Sequence, residues 1–426
     1  MDYMVVSLSV KKFFMRFLPG GLRHNAEIFG VGKTFVWIFR TAWSYRRTIL
    51  YLMRKRGIRA VFNFLYVKIF VPAGEGSGAA LYFLIGPLIR NFPSLAPYPK
   101  YIEIEITTIC NKRCVLCEHT YWKDQPMKNL TFNEFKRVVD QFPKLRWTNL
   151  TGEGDAFLNP EYIKMIEYLK SKDIPVYLVD SFDLITEKIA KQLVQLGVDG
   201  IYISLDGATR ETYNRIKVGC DFDRVLKNIR TLVEIKKEMK TPIPELCFRF
   251  VVTTLNVHEM PNFVELVRSF GDKKDLGDGS RAEFCGLLEF AEIKHLKVDK
   301  ISEDILEATI KKAKELELDI MFCHAEPETH PPVEHCLAWM EPYIMMDGYV
   351  LPCCSVLMSN QRTFLRQHSF GNIYAKSFKE IWSSQRYTEF REKVNKKNEK
   401  LPLFCKGCRS YSTIRRETEC GVNTEL

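Results

Sequence analysis

Residues 101–117 read YIEIEITTICNKRCVLC, an alternating apolar strand that runs directly into Cys110, Cys114 and Cys117. The CxxxCxxC spacing places three thiols on one short loop at the strand's end. Three thiolates suit a cuboidal iron–sulfur cluster: each takes one iron, and the fourth iron stays open to an outside ligand. Structural zinc is the competing reading. Zinc usually closes a tetrahedron with paired CxxC hooks, and beside this loop His119 is the side chain that could complete one.

From residue 100 the sequence alternates strand and helix patterns. Strands are predicted at 101–108, 148–152, 174–179, 200–206, 245–254 and 282–290. Helices are predicted between them at about 131–142, 160–171, 186–196, 210–216 with 221–239, and 258–270. Repeated βα units imply a parallel sheet, and six of them predict an α/β fold built as a partial TIM-type (β/α)6 barrel. Chemistry in such barrels gathers at the C-terminal ends of the strands, which is where the cysteine loop lies.

This combination resembles the radical S-adenosylmethionine (radical SAM) superfamily. The resemblance implies a 4Fe–4S cluster on Cys110, Cys114 and Cys117 whose open iron chelates S-adenosylmethionine. Reductive cleavage would then give methionine and a 5′-deoxyadenosyl radical. The residue before the third cysteine is often aromatic in the family and is Leu116 here, which weakens the expected contact to adenine. Gly152 and Glu153 stand where relatives carry a Gly-Gly-Glu motif for the methionine ammonium, although Thr151 replaces the first glycine and Gly154-Asp155 follows. Ser204 and Arg215 match positions that contact the cofactor's carboxylate or ribose. Asp180 ends the third strand and is a candidate for substrate contact, with a plain strand-end cap as the simpler reading.

A second cysteine set follows. Eleven residues separate Cys336 from Gly348, four separate that glycine from Cys353, and Cys405-Lys-Gly-Cys408 completes the set. This resembles the SPASM/Twitch extension of radical SAM enzymes and implies one auxiliary 4Fe–4S cluster on Cys336, Cys353, Cys405 and Cys408. Four thiolates with a CxxC hook also suit zinc. Cys354 and Cys420 are left over as alternative ligands or hydrogen-atom donors. His324, His330 and His335 fit surface or supporting roles better than ligation.

Charge is uneven. Residues 1–99 hold 14 Lys or Arg against 3 Asp or Glu, whereas the rest of the chain carries 48 against 49. Basic clusters alternate with aromatic patches there, and Lys33, Arg40, Lys68 and Pro87 interrupt the apolar runs before the ~18 residues a span needs. The pattern predicts a basic amphipathic segment at a membrane surface. A helical prefix packed on the barrel is the simpler alternative, and nucleic acid is a weaker one. Thirteen cysteines, mostly in metal-type spacings, point to a reducing compartment. No cleavable signal peptide is evident, so the expected location is cytoplasmic, peripheral to the inner face of the membrane.

The expected organisation is therefore an N-terminal segment at 1–96, a radical SAM barrel at 97–295 and a small cysteine-rich domain at 296–426. The resemblance implies a radical SAM oxidoreductase-type enzyme with a flavodoxin or ferredoxin as electron donor. A small-molecule, glycan or lipid-linked substrate, oxidised or epimerised, is the favoured expectation. A peptide-modifying maturase is the alternative, and a non-catalytic iron–sulfur or zinc protein is the rival of another class.

Overall fold

The structure, a computed structural model, describes residues 43–70, 92, 96–288, 290–323, 338–395 and 402–405. Two helices come first, α1 (Arg46–Arg56) and α2 (Ile58–Phe70). The body then runs β1 (Tyr101–Glu105), α3 (Glu118–Tyr121), α4 (Phe132–Val139), β2 (Trp147–Thr151), α5 (Tyr162–Ser171), β3 (Val176–Asp180), α6 (Glu187–Leu196) and β4 (Gly200–Ser204). It continues with α7 (Arg210–Ile216), α8 (Phe222–Glu238), β5 (Glu245–Val252), α9 (Met260–Ser269), α10 (Lys273–Leu276) and β6 (Arg281–Gly286). After these come α11 (Glu303–Glu315), β7 (Ile320–Cys323), β8 (Tyr343–Ile344), β9 (Val350–Leu351), α12 (Arg362–His368), α13 (Phe378–Trp382) and α14 (Gln385–Asn395).

The strands form one open sheet in the order β7-β6-β5-β4-β3-β2-β1-β8-β9, with every neighbouring pair parallel except β8–β9. The six expected βα units are present. A seventh parallel strand, β7, extends the sheet beyond residue 295, and α11 packs against α9 outside it.

Local sequence explains the helices. Thr131 and Glu134 form a reciprocal capping box at the start of α4, and Thr186, Thr209 and Asp221 cap α6, α7 and α8. α8 buries Phe222, Val225, Leu226, Ile229, Leu232 and Val233, the i, i+3, i+4 stripe its sequence displays. Strand alternation divides the two faces of the sheet. In β1, Ile102 and Ile104 join the main core beneath the helices, while Tyr101 belongs to a separate lumen cluster with Trp147, Tyr177, Tyr202 and Cys247.

The hairpin α1–α2 closes the end of the barrel opposite the cysteine loop. Val67 of α2 packs into the lumen cluster, and Lys68 Nζ pairs with both oxygens of Glu245 at 2.7 and 2.8 Å. Asp278 accepts from Thr48 N and Oγ1 at 2.9 Å and pairs with Arg47, while Arg56 donates to Leu196 O. For residues 43–70 the arrangement is thus a helical prefix packed on the barrel, with part of its basic charge consumed there. Trp43, Leu50, Met53, Ile58 and Phe62 remain exposed on its outer side. No helix among the described residues is long and apolar enough to cross a membrane. The parts of the amphipathic segment before residue 43 and at 71–91 lie outside the described residues.

Candidate active site

The cysteine loop leaves β1 through Thr107, Thr108 and Ile109. Turns shape it: Cys117 N donates to Cys114 O at 3.2 Å, and Thr120 Oγ1 donates to the same carbonyl at 2.7 Å. The loop is also laced to the stretch after α7, through Arg113 N to Val218 O and Val115 N to Ile216 O, each at 2.8 Å. Cys110, Cys114 and Cys117 are all half-buried on this loop. A hydrogen bond from Cys220 pulls the Cys114 thiol down to about 6, against the effect of burial, while burial pushes the Cys110 and Cys117 thiols up.

His119 is buried, and its Nε2 lies 3.0 Å from Thr108 O. A carbonyl only accepts, so Nε2 carries the proton and donates to the backbone. Among the described residues no three His, Cys, Asp or Glu side chains converge on the position of one metal ion. The thiols of a cuboidal cluster need not do so, because each binds its own iron. The loop therefore fits a cluster better than a one-ion cage.

Lys112, between the first two cysteines, is buried and pairs with Asp155 and, at 3.9 Å, with Asp183. It thereby ties the loop to the ends of β2 and β3. Nothing in the sequence singled it out; the basic pair in CNKRC reads as solvated charge. The strand-end glycines serve the same junction. A Cβ on Gly154 would stand 2.5 Å from Ile109 O, and one on Gly152 would stand 2.9 Å from Thr107 O. Only glycine lets this turn press against the backbone entering Cys110.

Glu153 is buried, and its carboxylate pairs with Arg362 and accepts from Gln125. Burial pushes it up to about 8, with Arg362 opposing. Asp180 is buried and accepts from Phe182 N at 2.6 Å, the strand-end cap of the simpler reading; burial pushes it well up. Ser204 faces the lumen half-buried beside Arg249 of β5, and Arg215 lies exposed on α7, next to the stretch that laces the cysteine loop.

The lumen below this mouth is polar. Arg249 stacks over the Tyr202 ring at 3.9 Å and donates from Nε to Glu283 at 2.8 Å, and Arg281 takes the other oxygen of Glu283 at 2.5 Å. One side of the mouth is apolar. Val115, Leu116 and Trp122 of the cysteine loop pack with Leu287, Phe290, Ile293 and Leu296.

Of the second cysteine set, Cys353 and Cys405 are described and sit on neighbouring turns. Cys354–Ser359 and Leu403–Cys405 pack together, and Asn360 Nδ2 links them by donating to Val356 O and Phe404 O at 2.8 and 3.3 Å. The Cys354 thiol hydrogen-bonds Glu103 of β1, and burial pushes it well up. Cys336, Cys408, Cys420 and the three histidines before Cys336 lie outside the described residues.

Known proteins resemble the chain in the same two regions. The radical SAM superfamily matches residues 104–267, and the SPASM iron–sulfur cluster-binding domain matches residues 336–409. These matches show a radical SAM domain followed by an SPASM domain. Radical SAM and SPASM domains together imply S-adenosylmethionine and 4Fe–4S clusters as its cofactors, with auxiliary iron–sulfur in the C-terminal part. Among relatives, the tungsten-containing aldehyde ferredoxin oxidoreductase cofactor-modifying protein of Pyrococcus furiosus is 25% identical over 313 residues, covering 68% of this chain and 83% of that one. The mycofactocin maturase MftC of Mycobacterium tuberculosis is 24% identical over 186 residues, covering 43% of this chain and 46% of that protein. The crystal structure of Streptococcus suis SuiB bound to S-adenosylmethionine shares the fold at TM-score 0.55 and 15% identity, covering 87% of this chain and 82% of SuiB. A structure of SuiB with its precursor peptide SuiA matches at TM-score 0.53 and 15% identity, covering 80% and 82%.

Proposed function

We propose that this radical SAM enzyme modifies a peptide, with the auxiliary site serving oxidation of the substrate. The observation that carries the reading is one continuous sheet with the cysteine loop at the end of β1 and the segment bearing Cys353 joined through β8 on the other flank of that strand. The likeness to a maturase and the fold shared with SuiB, one structure of which holds a precursor peptide, favour a peptide over the glycan or lipid-linked substrate expected from the sequence.

When bound, S-adenosylmethionine and the reduced cluster supply a carbon radical that takes a hydrogen atom from the substrate. The chain's own residues hold and shield that chemistry. In this reading Cys110, Cys114 and Cys117 ligate the first cluster, and Lys112 keeps their loop against β2 and β3. The turn at Gly152–Glu153, with Ser204 and Arg215, contacts the cofactor, and the apolar side that includes Leu116 excludes water. Arg249, held flat by Glu283 and Tyr202, faces the substrate. Asp180 acts as a cap. Cys336, Cys353, Cys405 and Cys408 ligate the auxiliary cluster; Cys354 and Cys420 remain candidates for hydrogen donation. The division at 97–295 and 296–426, a flavodoxin or ferredoxin as electron donor, and a cytoplasmic location belong to the same proposal. The exposed apolar side chains of α1–α2 support peripheral contact with a lipid surface, and equal flotation on liposomes with and without residues 1–96 would remove that part.

The test is 5′-deoxyadenosine release by the anaerobically reconstituted full chain with dithionite and S-adenosylmethionine. Cell extract separated into peptide and lipid-glycan fractions supplies the candidate substrates. Stimulation by the peptide fraction that protease digestion abolishes supports the proposal. Stimulation by the glycan fraction alone returns the reading to a glycan substrate. Zinc in place of iron, with no cofactor cleavage, leaves a non-catalytic binding protein.

A further inference from the structure

The C-terminal part reaches the mouth of the barrel through the first turn of α12, which follows closely on the turn after Cys353. Arg362 is 1% exposed. Its guanidinium meets Glu105, the last residue of β1, at 3.0 Å and pairs with Glu153 just beyond β2. Glu105 also accepts from Tyr343 Oη at 3.2 Å and Met346 N at 3.0 Å. The next residue, Thr363, donates its N–H to Asp124 at 2.6 Å, and Arg366 reaches Asp124 O at 3.3 Å. One helical turn is thus fastened to two adjacent strand ends and to the stretch behind Cys117.

Arg362 Nε donates to Glu153 while the Nη2 end of the same guanidinium pairs with Glu105, so one cation sits between two buried carboxylates. Among the described residues Arg362 is the one cation paired with either Glu105 or Glu153. The barrel's own strands therefore supply no counter-charge for their two end carboxylates. We propose that Arg362 is a positioning residue for S-adenosylmethionine: it sets the turn Gly152–Gly154 against the cysteine loop, so that cofactor affinity depends on the docked C-terminal part. This inference rests on the reading of Gly152–Glu153 as a cofactor contact. The short run from Cys353 to Arg362 links the turn of Cys353 to the cofactor turn.

The experiment compares wild type, Arg362→Met, Arg362→Lys and Glu153→Gln as full chains reconstituted without oxygen. Readouts are the S-adenosylmethionine dissociation constant by equilibrium dialysis, iron per chain, and the electron paramagnetic resonance spectrum of the reduced protein with and without the cofactor. Arg362→Met is expected to keep its iron and to weaken cofactor binding by about tenfold or more. Arg362→Lys keeps the charge but serves one carboxylate at a time, and is expected to fall between Arg362→Met and wild type. Should Arg362→Met fail to fold, the lysine variant decides: wild-type affinity in a folded, iron-replete Arg362→Lys protein overturns the proposal. A purely structural brace would lower the melting temperature without moving the dissociation constant of the folded protein, and that result overturns it equally. If Glu153→Gln weakens binding and the Arg362 variants do not, this inference alone fails. If none of the three weakens binding, the placement of the cofactor at Gly152–Glu153 fails with it.

Discussion

Lys68 Nζ lies 2.7 and 2.8 Å from the two carboxylate oxygens of Glu245, across the end of the barrel remote from the cysteines. Both side chains are buried or nearly so, and Tyr45, Phe64 and Tyr177 put their rings within 6 Å of the ammonium. Burial disfavours the charged lysine, but Glu245 outweighs it and holds Lys68 well above the usual lysine range. Lys68→Met should therefore destabilise the chain by about 3 kcal/mol, because the buried Glu245 loses its near counter-charge and keeps Arg281 at 3.8 Å. Urea unfolding measures this, and Lys68→Met/Glu245→Leu should recover most of the loss, since no charge is then stranded.

Lys112→Met should strip the counter-charge from Asp155, while Asp183 keeps Arg224, and should release the cysteine loop from β2. After anaerobic reconstitution the iron content should fall from about eight per chain toward about four, the auxiliary share remaining. Lys112→Arg should restore part of the loss. An iron content equal to wild type in Lys112→Met would show that the loop holds itself.

Gly154→Ala tests the close approach of the cofactor turn. The added methyl would meet Ile109 O at 2.5 Å and Thr107 O at 2.7 Å, and neither backbone atom can swing aside. A cost of about 2 kcal/mol is expected from such overpacking. It should appear as a lower melting temperature together with weaker iron retention, because the clash lies on the approach to Cys110.

Lys236 carries a pH dependence distant from the metal sites. Its Nζ donates to Pro244 O at 2.6 Å and Leu276 O at 2.8 Å, and burial lowers it to about 7. Between that value and the usual lysine value the unfolded chain binds the extra proton, so stability rises with pH across this window and is lost as pH falls through 7. Moving from pH 8 to pH 6 should cost about 1 kcal/mol from this group. Lys236→Met should lose that share of the slope in urea unfolding at the two pH values.

The barrel was legible because each helix carries its own signals. Thr131 with Glu134, Thr186, Thr209 and Asp221 mark helix starts locally, and the stripe of α8 and the alternation of β1 fix which face is buried. β7 was missed because four residues after a helix give too short a pattern. The packing of α1–α2 was open to three readings because its partners Glu245 and Asp278 lie about two hundred positions away, and excess basic charge in the sequence does not reveal pairing. That the first three thiols share one short loop was legible from their spacing. Lys112 and Arg362 were not, since a buried ion pair leaves no local pattern.

β1 has a partner on each side, and the second, β8, comes late in the chain. Met346, which donates to Glu105, stands 241 positions downstream of it. Chains emerge from the ribosome N-terminus first and fold in that order. Until the last quarter has been synthesised, the nascent barrel waits with its first strand half-zipped and two acidic side chains without Arg362. Iron delivered before that moment would meet an unfinished mouth, so metal loading should follow chain completion.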